Sequence, residues 1–144
     1  MSEPRSKWFR LSEWNSRHRL ATPYPPTWVE SRWRPLAETL DVIRDEAGCA
    51  ITISPNGGFR NYDHNRDIGG APNSQHPKGR AADLRCRKLS PKQLYALILR
   101  LHAAGKLPRL GAVGLYSWGV HVDIRPSATL VTWDRSGDEF EQTA

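Results

Sequence analysis

The sequence predicts an α+β fold, a small antiparallel sheet flanked by helices. Two segments place apolar residues at helical spacing, and several short segments alternate or run apolar as strands do. Their order is helix, strand, loop, strand, helix, then a meander of strands, which suits one two-layer core. The 144 residues fit a single domain of ordinary size, long enough to bury a core without staples.

Residues 1–26 are irregular, hold Pro4, Pro23, Pro25 and Pro26, and contain a short helix started by Ser12. This segment is expected to pack on a domain formed by residues 27–135, with a polar tail at 136–144. A helix over about 28–46 follows from Trp28, Trp33, Leu36, Leu40 and Ile43 at helical spacing. Thr27 with Glu30 forms its capping box, and Gly48 stops it. Both tryptophans read as core rather than as a ligand platform.

A strand is predicted at 50–54, followed by the turn Pro55-Asn56-Gly57-Gly58. Residues 61–68 read as one or two helical turns, and 69–81 as a loop rich in Gly, Pro, Asn and Ser. A second strand runs to Cys86. Ser90 with Gln93 forms a second capping box, with Pro91 at the first helical position. That helix reaches about Ala104 and carries Leu94, Leu97, Ile98 and Leu101 on one face. Strands at about 111–116 and 119–124 are joined by Ser117-Trp118, and a last strand covers about 129–133.

Composition narrows the function. Hydrophobic residues make up 38% and charged residues 25%, and no apolar run approaches the roughly 20 residues that span a bilayer, so no membrane insertion is expected. The net charge of +6, with a pI near 9.7, favours acidic partners: nucleic acid, anionic lipid or the acidic peptides of a cell wall. The N-terminus has charges but no apolar stretch of a secretory signal. The expectation is a monomer made in the cytoplasm that reaches the wall by release or delivery. Cys49 and Cys86 lack metal-binding spacing and read as two buried thiols.

The chemistry concentrates in Ser74-Gln75-His76-Pro77-Lys78-Gly79-Arg80-Ala81-Ala82-Asp83. Imidazole and carboxylate are good zinc ligands, and a loop His followed by a strand Asp can converge on one ion. Gly79, Ala81 and Ala82 let the backbone turn closely beneath it. In Gly119-Val120-His121-Val122-Asp123-Ile124, alternation puts His121 and Asp123 on the face opposite the valines. Beside Asp83 this pair completes a His-Asp-His site; away from it, the pair is solvated decoration.

The segment from Ser74 to Asp83 resembles the zinc motif S-x-H-x-x-G-x-A-x-D of the M15 peptidases. Gly58-Phe59-Arg60 resembles the family's G-Y-R, and the run from Asn65 to His76 resembles its N-x-x-x-G-G-A-x-x-S-x-H. Gly114-Leu115-Tyr116 and His121-Val122-Asp123-Ile124-Arg125 resemble the closing motifs of the branch common in phage and prophage, as Phe9-Arg10-Leu11-Ser12-Glu13-Trp14 does its opening. The resemblance implies a hedgehog/DD-peptidase-like fold with Zn2+ on His76, Asp83 and His121. It implies that Arg60 binds and polarises substrate and that Ser74 and Tyr116 contact it. The implied activity is hydrolysis of amide bonds in peptidoglycan stem peptides or cross-links, as a DD-carboxypeptidase, a DD-endopeptidase or an L-Ala-D-Glu endopeptidase, including a lysin role.

Two departures stand out. Many relatives place a carboxylate three residues before the last histidine as general base, and here that position is Trp118. Asp123 is then the replacement base, or else a group that orients a ligand. The tract from Ser54 to Arg60 is also long, which would displace Arg60. Two rival readings follow. One is a non-catalytic zinc-containing wall-binding module, favoured by Trp118. The other is a nucleic-acid enzyme, resting on the charge and on His64-Asn65; no nucleic-acid partner is expected. His18, His64 and His102 lie outside the ligand positions, with His102 at a helix end where a cation suits the dipole.

Overall fold

The computed structural model describes residues 3–137; the polar tail expected at 136–144 lies mostly outside them. A turn of 3-10 helix at Leu11–Trp14 precedes helix α1, Arg34–Ala47, and strand β1, Ile51–Ile53. Helix α2, Tyr62–Asp67, and a 3-10 turn at His76–Lys78 lead into β2, Ala81–Cys86. Helix α3 is Pro91–Ala103, and β3, Ala112–Leu115, β4, Val120–Asp123, and β5, Val131–Asp134, complete the sheet. The α+β class is as predicted.

The start of α1 differs from expectation. Thr27 caps nothing: Pro26–Trp28 is a 3-10 turn and Val29–Trp33 a wide π-helical turn. Pro35 has no N–H to give to the carbonyl four residues back, so the regular ladder begins only around it. Glu30, predicted to complete the box, pairs with Arg34 instead at 2.7 Å. Gly48 ends the helix with φ of 65°, and the Ser90/Gln93 box closes around the start of α3 as predicted.

The sheet order is β1-β2-β4-β3-β5. All pairs are antiparallel except β3 with β5, which is parallel. The sheet is thus mixed rather than purely antiparallel. Both edges of β4 are already taken by β2 and β3, so the last strand crosses to the open edge of β3 instead of extending a meander. On one face, Leu84, Val113, Val120 and Val122 pack under α1 and α3, whose Leu36, Leu40, Ile43, Leu94 and Ile98 are buried. The N-terminal segment joins this core: Phe9, Trp14 and Trp33 stack edge to face and are almost fully buried. Trp28 is only partly buried, with the Arg32 guanidinium 3.9 Å above its ring.

The expectation of two thiols is overturned. Cys49 and Cys86 form a disulfide with Cα atoms 6.9 Å apart. Cys49 precedes β1, and the antiparallel register sets Ile51 opposite Cys86, so pairing of the strands brings the sulfurs together. With the two cysteines 37 positions apart in the chain, no local spacing announces the bond.

Candidate metal centre

The other face of the sheet carries the polar residues. The register aligns Asp83 on β2, His121 on β4, Gly114 on β3 and Trp133 on β5 in one row across four strands. The period of two that turns the valines to the core turns this row, and Asp123, the other way. His76 comes from the covering loop, at the start of its 3-10 turn. That turn ends at Gly79, with φ of 68°. A Cβ there would meet the Tyr24 hydroxyl at 2.7 Å and the Trp28 ring at 2.9 Å, so only glycine lets the loop sit this close.

The three expected ligands converge. His76 Nε2 lies 3.1 Å and His121 Nδ1 3.0 Å from the same oxygen, Oδ1 of Asp83. One donor atom from each residue lies within 4.8 Å of the other two, and all three side chains are buried. Each ring is fixed from behind. His76 Nδ1–H donates to the Gly58 carbonyl at 2.7 Å, and since a carbonyl only accepts, this sets the tautomer. His121 Nε2–H donates to Asp123 Oδ2 at 2.7 Å. Burial pushes the pKa of His76 down, so its ring is neutral and Nε2 carries a lone pair. That lone pair faces a carboxylate oxygen, and two acceptors at this range call for a cation between them. Donors about 2.1 Å from one tetrahedral ion lie about 3.4 Å apart, close to the spacing here.

Burial opposes charge on Asp83, but the two imidazoles outweigh it and hold the carboxyl well below the usual range. Burial also opposes charge on His121. Its hydrogen bonds to Asp123 and Asp83 prevail and raise its pKa to about 9. Without metal, then, His121 carries a proton between two carboxylates.

Asp123 does not suit the role of general base. Its side chain is fully buried, and Arg125 donates to both oxygens, at 2.9 and 2.7 Å, while His121 takes Oδ2 as well. Burial opposes its charge, but these bonds hold its carboxyl well below the usual range, so it is a poor proton acceptor near neutral pH. The geometry fits the other role weighed for it, a carboxylate that orients a ligand from behind.

Arg60 is fully buried, not a surface cation. Its guanidinium donates to the Asn56 carbonyl at 3.1 Å and to the Ser74 hydroxyl at 3.4 Å, and it borders a cavity with Asp83. Ser74 also accepts from the His76 amide, coupling Arg60 to the ligand loop. Tyr116 lines a second cavity with His121. His64 is buried, stacks on His18 at 4.2 Å, and bonds the Asn56 amide oxygen; Asn65 donates to the Ala71 carbonyl. Both residues of the nuclease-like pair are therefore taken up in packing the loop.

Sequence reasoning missed Trp133. Its ring lies directly over Gly114 and reaches the His121 ring, with centroids 5.3 Å apart. The available signal was Gly114 itself, a gap in the site face of a strand otherwise apolar.

A mixed α+β sheet carries a buried His-Asp-His group, with the ring of each histidine braced from behind, that could hold a divalent metal as the sites of metal-dependent hydrolases do. Residues 21–123 match the family model described as Peptidase M15, and the chain belongs to that family. M15 peptidases are generally zinc-dependent, and the donor set here suits zinc. No curated protein compared with the chain matches it. No helix among the described residues is long and apolar enough to cross a membrane.

Proposed function

We propose that the chain is a zinc peptidase that hydrolyses amide bonds in peptidoglycan stem peptides or cross-links. The observation that carries this is the pair of imidazole nitrogens aimed at one buried carboxylate oxygen, in a chain of the M15 family. His76, Asp83 and His121 hold the metal, with the Gly58 carbonyl and Asp123 fixing the two rings. Bound there, zinc supplies Lewis acidity toward a carbonyl oxygen and toward a water. Arg60 places its guanidinium beside the same carboxylate, where it can hold a substrate carboxylate or the oxygen on which charge develops. Ser74 steadies Arg60 and the ligand loop, and Tyr116 contacts substrate from the other side of His121. The excess of positive charge suits the free carboxylates of wall peptides. The site of action is the cell wall, and a phage or prophage lysin is one setting that fits.

Two observations favour the rival, a wall-binding module that keeps zinc without cutting. Trp118 stands where the M15 resemblance implies a carboxylate base, and Asp123 has both oxygens engaged. Digestion of purified wall by the zinc-loaded protein, read by mass spectrometry, separates the two. New termini in the digest that are absent with His76→Ala support the peptidase. Wall binding with no fragments released supports the module.

A further inference from the structure

The tract from Ser54 to Arg60, set apart in the sequence by its length, begins as a tight turn fastened to Asp83. The Gly57 N–H donates to the Ser54 carbonyl at 2.8 Å, with Pro55 and Asn56 between them. Ser, Pro and Gly are residues that such a turn favours at its first, second and last positions. Both ends of the turn pair with the backbone of Asp83. Its carbonyl accepts from the Ser54 N–H at 3.0 Å, and its N–H donates to the Gly57 carbonyl at 2.8 Å. Asn56 is thereby set at the border of a cavity of about 260 Å³ that Arg60, Asp83 and Trp118 also border.

Asn56 is held twice more. Its carbonyl accepts from the Arg60 guanidinium at 3.1 Å, so the two residues are neighbours on that border. Its side-chain oxygen bonds His64 Nε2 at 3.2 Å. Burial, with His18 and Arg60 close by, lowers the His64 pKa to about 4, so the ring is neutral and carries one proton. An amide oxygen only accepts, so that proton sits on Nε2, and Nδ1 is a buried lone pair without a partner. A phenyl ring would stack on His18 and fill the same space without that cost. The use of an imidazole here is the one bond its ring makes, to Asn56.

That bond decides which end of the amide is left over. With Oδ1 turned to His64, the Asn56 NH2 keeps two N–H donors that no acceptor meets among the described residues. Resting on the peptidase reading, we propose that Asn56 is a substrate-binding residue, donating from its side-chain NH2 to a backbone oxygen of the bound peptide beside Arg60, and that His64 is the positioning residue that turns the amide to do so.

The test uses the zinc-loaded full chain and soluble wall fragments released by a muramidase. Asn56→Ala should raise KM about five- to tenfold, with a smaller change in kcat, the effect of one neutral hydrogen bond. His64→Phe should move KM in the same direction by less. The double variant should be no worse than Asn56→Ala, because the ring acts only through the amide. Zinc content stays that of the parent in all three. In the NMR spectrum of the parent, the Asn56 NH2 resonances should shift as fragments are added. Asn56 lies outside the hydrophobic core, so its variant decides the contact if His64→Phe does not fold. A parental KM in Asn56→Ala, with NH2 resonances that ignore the fragments, overturns the proposal and leaves the peptidase reading intact. Single losses that add in the double variant make His64 a packing residue and overturn its part. A zinc-loaded parent that cuts nothing while those resonances shift overturns the peptidase reading and keeps the contact.

Discussion

The two ring nitrogens of His121 face different carboxylates, and this division governs the behaviour of single residues at the site. Nε2 belongs to Asp123, which fixes the ring so that Nδ1 points at Asp83. Asp123→Asn should therefore weaken zinc binding roughly 10–100-fold, measured by competition with a chelator. An unchanged affinity would mean that the ring needs no such brace. The same bonds make the metal-free protein sensitive to pH. His121 rises from an ordinary 6.5 to about 9 on folding, so the stability it contributes is complete below about 6.5 and is lost as pH climbs through 9. The melting temperature of the metal-free protein should fall over that interval, and His121→Gln should flatten the slope. At this scale the His-Asp-His group was legible in the sequence because Ser74 to Asp83 are ten consecutive residues and the strand alternation exposes His121. The choice between the two roles weighed for Asp123 was not, because alternation places it on the right face without saying that Arg125 folds back onto it.

Among the elements, the strands β2 to β5 matter most, since their register alone builds the row from Asp83 to Trp133. Gly114 is the position in it without a side chain. A Cβ there would lie 2.2 Å from the Trp133 ring, so Gly114→Ala must displace the indole or spread the strands. A loss of about 1–3 kcal/mol is expected in denaturant unfolding, with a shifted Trp133 indole N–H resonance. A variant as stable as the parent, with that resonance unmoved, would show that the strands yield easily. The helices and the central strands were readable from periodicity and caps, as Ser90 and Gly48 show. The entry to α1 was not, because Pro35 outweighs a correct-looking capping box at Thr27. The direction of β5 was unreadable as well: which edge stays open depends on how β4 is already paired.

For the molecule as a whole, the Cys49–Cys86 bond ties the end of the α1 layer to the strand that carries Asp83. Closing a loop of this length removes about 3–4 kcal/mol of chain entropy from the unfolded state. The Cys49→Ser/Cys86→Ser double variant should lose stability of that order in denaturant titration, while zinc content at low denaturant stays the same. Loss of zinc together with stability would mean that the bond shapes the site and not merely the unfolded chain. Nothing local in the sequence marks this pair, since only the register of β1 on β2 makes them neighbours. The buried N-terminal aromatics have the same kind of long-range cause: Phe9 and Trp14 find Trp33 only once the helical layer is in place.

The placement of β5 has a consequence for how such a fold diversifies. Its ladder touches a single neighbour, as that of β1 does at the other edge, yet its indole rests against the His121 ring. A graft of this strand onto a related scaffold would carry the indole to the flank of His121 while leaving His76, Asp83 and His121 in their original frame.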